Sequence, residues 1–193
     1  MNESLGWILL SAAVVNNFTL ILFLGICPFL GVSGRISTAL RMGLACLFVL
    51  LVTSLCAWAL NAFVLGHAPW LRLIAFIVVI ASVVQVVEMA IRKWSPLLFR
   101  QLGIYLPLIT TNCAILALAI FQTNRGYGLL QGLVFALGAG AGLTLALVLM
   151  ASIREEADLA DLPAAARGTG LVLILAASLS LAFMGFSGLG AGA

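Results

Sequence analysis

The chain has 193 residues, 64% of them hydrophobic and only 8% charged, with a formal net charge of +3. Ordinary soluble domains carry about 25% charged residues, so a mean hydropathy of +1.27 excludes a soluble enzyme and points to an all-α integral membrane protein. The small positive charge bears on orientation in the membrane rather than on partners, and no nucleic-acid partner is expected.

Charge-free runs occupy roughly residues 5–33, 42–66, 73–87, 101–124, 126–153 and 168–193. Most reach the about 20 residues that a helix needs to cross a bilayer, and the third does so from Trp70 to near Ile91. The expectation is one membrane domain over 1–193 with six transmembrane helices at about 5–32, 40–62, 70–91, 102–122, 128–152 and 170–190. The first run follows Met1-Asn2-Glu3-Ser4, without a basic leader segment, and reads as a retained span.

The first helix carries Asn16-Asn17 and then Cys27-Pro28. A residue before proline is biased away from the α region, so Cys27 is expected at a helix end. The second helix holds Cys46 and Cys56 among Leu, Val and Ala, and both read as packing residues. His67 sits beside Pro69 in the following loop as a solvated residue. In the third helix Glu88 has Arg92 at i+4, so an interfacial ion pair explains it without transport, an ion path being the alternative.

The fourth helix contains Pro107 and then Thr110-Thr111-Asn112-Cys113, a run whose side chains compete with helix by bonding locally to backbone. Gly138, Gly140 and Gly142 on the fifth helix, and Gly185, Gly188 and Gly190 on the sixth, mark faces for close helix packing. Between these helices, Glu155, Glu156, Asp158 and Asp161 precede Pro163 and read as a short, solvated helix.

Lysines and arginines divide unevenly between alternate loops. Arg35, Arg41, Arg92, Lys93, Arg100, Arg154 and Arg167 follow the odd-numbered helices, against Arg72 and Arg125 on the other side. The positive-inside rule then places the odd loops in the cytoplasm and both termini in the periplasm. Six helices also divide into two sets of three that face opposite ways, a 3+3 inverted repeat with helices 1 and 4 interrupted. Such repeats hold their functional sites near the midplane, on interrupted helices.

A helix that only spans gains nothing from a proline or amide beside a thiol, because freed backbone groups in hydrocarbon cost several kcal/mol each. Cys27 and Cys113 at broken helix ends would form half of a four-cysteine iron–sulfur site or half of a structural zinc site; packing thiols are the plainer reading. A cluster would need two more ligands from another protein chain. Two readings of a different class also stand: a small secondary transporter, and a structural subunit that anchors redox partners.

Several long motifs carry a resemblance. Val15-Asn16-Asn17-Phe18, residues 23–33, residues 106–114 and residues 181–189 resemble the RnfA family, found in the Rnf electron transport complex, and the similarity runs along nearly the whole chain. The E subunit of the sodium-translocating NADH:quinone reductase is a close cousin with both cysteine motifs. Asn16-Asn17 and the proline after Cys27 favour Rnf.

The resemblance implies a six-helix, multi-pass subunit of the bacterial inner membrane, paired with a homologous RnfE-type subunit of opposite orientation. Between them they would hold an intramembrane [2Fe–2S] cluster, with Cys27 and Cys113 as this chain's ligands. Asn17, Thr110, Thr111 and Asn112 would supply hydrogen bonds around it. The B, C, D and G subunits would complete an ion-translocating ferredoxin:NAD oxidoreductase that moves Na⁺ or H⁺. Ferredoxin and NAD(H) would be handled by those other subunits, so no complete active site is expected in this chain.

Overall fold

The computed structural model describes residues 4–32, 34–63, 72–94, 108–109, 111–159 and 168–186. Every regular element among them is helical: α1 Leu5–Leu10, a π-helical turn Ser11–Val15, α2 Phe18–Ile21, α3 Ile26–Val32, α4 Ile36–Phe63, α5 Arg72–Trp94, α6 Cys113–Asn124, α7 Leu129–Leu159 and α8 Thr169–Met184. His67, Pro107, Thr110, Pro163, Gly188 and Gly190 lie outside the described residues.

The helix α4 and the stretch Leu129–Ala157 are each long and apolar enough to cross a membrane, and Leu5–Ile21 with Ile26–Val32 qualifies as one span bent by 78°. Leu73–Met89, α6 and α8 are shorter apolar helices. Apolar residues face outward as well as inward: Leu44, Phe48 and Leu55 on α4 are all about half exposed or more, as are Leu173, Ile174 and Leu181 on α8. Helices that are hydrophobic all round suit a lipid environment.

At the centre, α4 and α7 cross antiparallel with small residues at the contact. A Cβ built on Gly43 would fall 2.6 Å from Thr144 Cγ2, and one on Gly140 would fall 2.8 Å from Leu47 Cγ. The first span packs on the adjoining face of α7, where Gly138 meets the Leu9 carbonyl and Gly142 the Ala13 carbonyl. The expected small-residue face of the fifth helix therefore serves two neighbours. Without a hydrophobic driving force between helices in lipid, such close backbone approach is what holds a bundle together.

The two ends of the bundle differ in kind. At one end, α7 runs to Leu159, past the expected boundary at 152, because its charged residues bond to neighbouring segments there. Glu155 Oε1 accepts the N–H of Ile36, the first residue of α4, at 3.0 Å, while Arg154 Nη1 donates to Leu30 O at 3.4 Å. The carboxylate caps a helix N-terminus. These contacts bring Arg154 to the end that carries the Arg35 turn. At the other end Arg125 donates to the Tyr127 hydroxyl at 2.9 Å and lies 5.8 Å from the centroids of both the Tyr127 and Phe135 rings.

Candidate functional site at two broken helices

The first span breaks twice. After the π turn, Asn16 leaves helical geometry (φ −116°, ψ 50°) and Asn17 restarts the helix as N-cap, its Oδ1 accepting from Thr19 N at 3.0 Å. The Asn17 amide nitrogen donates to Ala13 O at 3.1 Å and to Gly142 O on α7 at 2.9 Å. One side chain, 1% exposed, thus satisfies the Ala13 and Thr19 backbone groups on either side of the break and ties the break to α7.

The four-residue helix α2 then ends with Leu24 N–H turned back to Phe18 O at 3.0 Å. Phe23 (φ 54°) and Gly25 (φ 84°) both adopt left-handed backbone, which is strained for a bulky residue. Cys27 is the second residue of α3 and Pro28 the third. Proline fits there because the first-turn N–H has no intrahelical partner to lose. Cys27 is therefore at a helix end, as the proline implies, with helical backbone.

The second break repeats the device. Asn112 caps α6 with φ −73° and ψ 115°, close to the −64° and 115° of Asn17, and its Oδ1 accepts from Ala114 N at 3.0 Å. Its amide nitrogen points at Cys46 Sγ on α4, 3.9 Å away. Asn17 reaches across to α7 and Asn112 to α4, the two helices of the central crossing. Cys113 is the first residue of α6, and Thr111 lies in the turn before the cap.

The breaks meet. Gly25 N–H donates to Cys113 Sγ at 3.0 Å, and a Cβ on Gly25 would fall 3.3 Å from Asn112 Oδ1. Both Cys27 and Cys113 are exposed, whereas Cys46 is buried. The α6 helix has 12 residues, about 18 Å at 1.5 Å per residue. Cys113 thus sits at the opposite end of α6 from Arg125. Both thiols lie on the outside of the chain.

Positive helix ends and a backbone N–H surround the Cys113 sulfur with partial positive charge, a setting suited to an anionic sulfur ligand. Among the described residues no group of three His, Cys, Asp or Glu side chains converges on one point. Sequence reasoning singles out both thiols and both asparagines. It misses Gly25 and the Asn112–Cys46 contact. A glycine two positions before Cys27 is the available sign of the first; nothing in the pattern of α4 marks the second.

Comparison with known proteins gives a consistent result. Residues 5–190 match the family described as Rnf-Nqr subunit, membrane protein. A protein of Syntrophotalea carbinolica, named as the A component of an ion-translocating oxidoreductase complex, is 56% identical over 189 residues, 97% of this chain and 98% of its own length. Proteins with the same name from Edwardsiella ictaluri and Yersinia pseudotuberculosis are 54% and 52% identical, covering 94% and 91% of this chain and 95% and 92% of their own lengths.

Proposed function

The chain belongs to the Rnf-Nqr family of membrane subunits, and on that footing we propose that it is the RnfA component of an Rnf-type ion-translocating ferredoxin:NAD oxidoreductase. Its part is to relay electrons through an intramembrane [2Fe–2S] cluster shared with a homologous RnfE-type subunit. The name carried by relatives at 52–56% identity supports Rnf over the quinone reductase. Six spans, a 3+3 inverted repeat, periplasmic termini and residence in the bacterial inner membrane complete the reading. The paired caps at Asn17 and Asn112, each reaching to a different central helix, support the repeat.

The observation that carries the proposal is the meeting of the two breaks: exposed Cys27 and Cys113 at the starts of α3 and α6, joined through Gly25 N–H and Cys113 Sγ. Such a cluster takes four protein ligands, and two outward-facing thiols fit half of that set. Cys27 and Cys113 would bind the irons, and the cluster would supply one-electron transfer. Gly25 holds the Cys113 sulfur by its N–H, and Asn112 fixes the start of α6 and hence the position of Cys113. Asn17, Thr110 and Thr111 belong to the same surroundings.

Coupling to Na⁺ or H⁺ follows from charge. Reduction adds negative charge where the two breaks meet, and a charge shifts a conformational equilibrium only by its unequal interaction with the two states. The broken helices α3 and α6 are the elements that such a charge would favour in one arrangement over the other. Other Rnf subunits would handle ferredoxin and NAD(H).

The test is low-temperature electron paramagnetic resonance of the dithionite-reduced complex, comparing wild type with Cys113→Ser at matched content of this chain. Loss of one [2Fe–2S] signal with other centres intact is expected. An unchanged spectrum with electron transfer preserved would return the thiols to packing.

A further inference from the structure

The first span is irregular before its cap as well as after it. Residues Ser11–Val15 form a π-helical turn, with Asn16 N–H donating to Ser11 O at 2.6 Å. Single π turns inside α-helices are frequent at functional positions. Ile8, Ala12, Val15 and Asn17 are buried, and this side of the span meets α7, where a Cβ on Gly138 would fall 2.9 Å from Ala12 Cβ and Asn17 bonds Gly142 O. Asn16, between two buried neighbours, is exposed.

That exposure conflicts with the surroundings. The nearest exposed residues on either side in the chain are Leu10 and Leu22, both apolar. Asn16 Nδ2 donates to Ser11 Oγ at 2.9 Å, the hydrogen bond of its side chain among the described residues. An asparagine amide has two N–H donors and a carbonyl with two acceptor sites, so one N–H and the whole of Oδ1 are left without a partner there. Lipid tails supply none. Asn17 shows the contrast: its amide is engaged wholly inside the chain, with Thr19, Ala13 and Gly142.

We propose that Asn16 is a docking contact for a transmembrane helix of another subunit of the same complex, and that this helix brings a hydrogen-bonding group to the free side of the amide. In membranes, asparagine side chains hold helices together by bonding across them. A surface facing lipid alone suits leucine, which is what positions 10 and 22 carry. The contact also bears on the site already described. Asn16 lies two residues before Phe18, whose carbonyl takes the Leu24 N–H next to the Gly25 that donates to Cys113 Sγ. A helix docked on Asn16 would therefore brace the segment from which the unwound stretch hangs. The inference rests on the reading of this chain as one component of a membrane complex, and it adds to that reading a contact outside the cysteine pair.

The experiment uses the whole complex, purified through a tag on this chain, with its other subunits quantified by mass spectrometry. Asn16→Leu is expected to lower retention of one other membrane subunit by about threefold, the effect of one interhelical hydrogen bond, while Asn16→Gln, which keeps an amide, retains it. Ser11→Ala removes the internal bond alone and should leave retention at the wild-type level. A photo-crosslinking benzophenone amino acid at position 16 should join a transmembrane segment of that subunit in intact membranes. Adducts with lipid or with this chain alone would overturn the inference. So would equal retention by Asn16→Leu and wild type, or an equal loss from Ser11→Ala, which would make the asparagine a support within its own chain. A wild type that brings down no other subunit would sink the complex reading itself, and the inference with it.

Discussion

The N–H of Gly25 and the Sγ of Cys113 lie 3.0 Å apart across 88 residues of chain. That contact ties the unwound part of the first span to the first residue of α6. It makes the two broken helices one structural unit, because the donor that the first break frees is spent on the sulfur that the second break presents. Gly25 meets two requirements at once, a left-handed φ of 84° and close approach to Asn112.

Gly25→Ala should therefore disturb both stability and the electronic environment of Cys113. An L-residue in left-handed backbone costs roughly 1–2 kcal/mol, and the new methyl would crowd Asn112 Oδ1 at 3.3 Å. The expected result is a lower thermal midpoint of the complex and a shifted midpoint potential of one [2Fe–2S] centre. Gly6→Ala, where a Cβ meets nothing within 4 Å, serves as the control and should change neither.

Thiol chemistry separates the cysteines by place. Cys27 and Cys113 are exposed and Cys46 is buried at 0%, so a membrane-permeant maleimide should label the first two and spare the third in the chain freed of its partners. If the proposed cluster is shared in the assembled complex, labelling of Cys27 and Cys113 there should fall to the level of Cys46. Equal labelling in the free and assembled states, read by mass spectrometry, would argue against a shared site.

Much of this is legible in the sequence, because the membrane makes irregularity expensive. Asparagine in an otherwise apolar run marks an interrupted helix, and both Asn17 and Asn112 prove to be N-caps at the breaks. The glycines of α7 similarly mark close packing. What the pattern does not encode is which partner each group takes. Asn17 bonds Gly142 across 125 residues, and Glu155 bonds Ile36 across 119; both depend on how helices cross, which periodicity leaves open. The end of α7 lies beyond its expected boundary for the same reason, since its charged turn reads as solvated until the start of α4 supplies its partner.

The two caps should fail differently. Losing an asparagine N-cap costs about 1 kcal/mol, but Asn17→Ala also removes the buried bond to the Gly142 carbonyl, which it meets at 2.9 Å, at a further roughly 0.5–1.5 kcal/mol. Among the described residues, Asn112 offers its amide to a thiol at 3.9 Å. Thermal unfolding should thus show the larger loss for Asn17→Ala. Asn112→Ala should give the larger shift in the cluster's midpoint potential, because it loosens the residue directly before Cys113. Equal effects of the two on both readouts would show that the caps do not have these separate duties.

Packing on α7 offers the sharpest test of the arrangement itself. A Cβ on Gly142 would fall 2.6 Å from Ala13 O and 3.0 Å from Asn17 Nδ2, and one on Gly138 would fall 2.7 Å from Leu9 O. Backbone cannot yield as a flexible side chain does, so Gly138→Ala and Gly142→Ala should each destabilise by about 1–3 kcal/mol, while Gly170→Ala, with open space around it, should not. Because the methyl at Gly142 would push the first span outward, it should also break the Asn17–Gly142 bond. The double variant Asn17→Ala with Gly142→Ala should then lose clearly less than the sum of the single losses, as groups that share one interaction do. Strict additivity in thermal unfolding of the complex would mean that Asn17 and Gly142 do not hold the first span against α7 together.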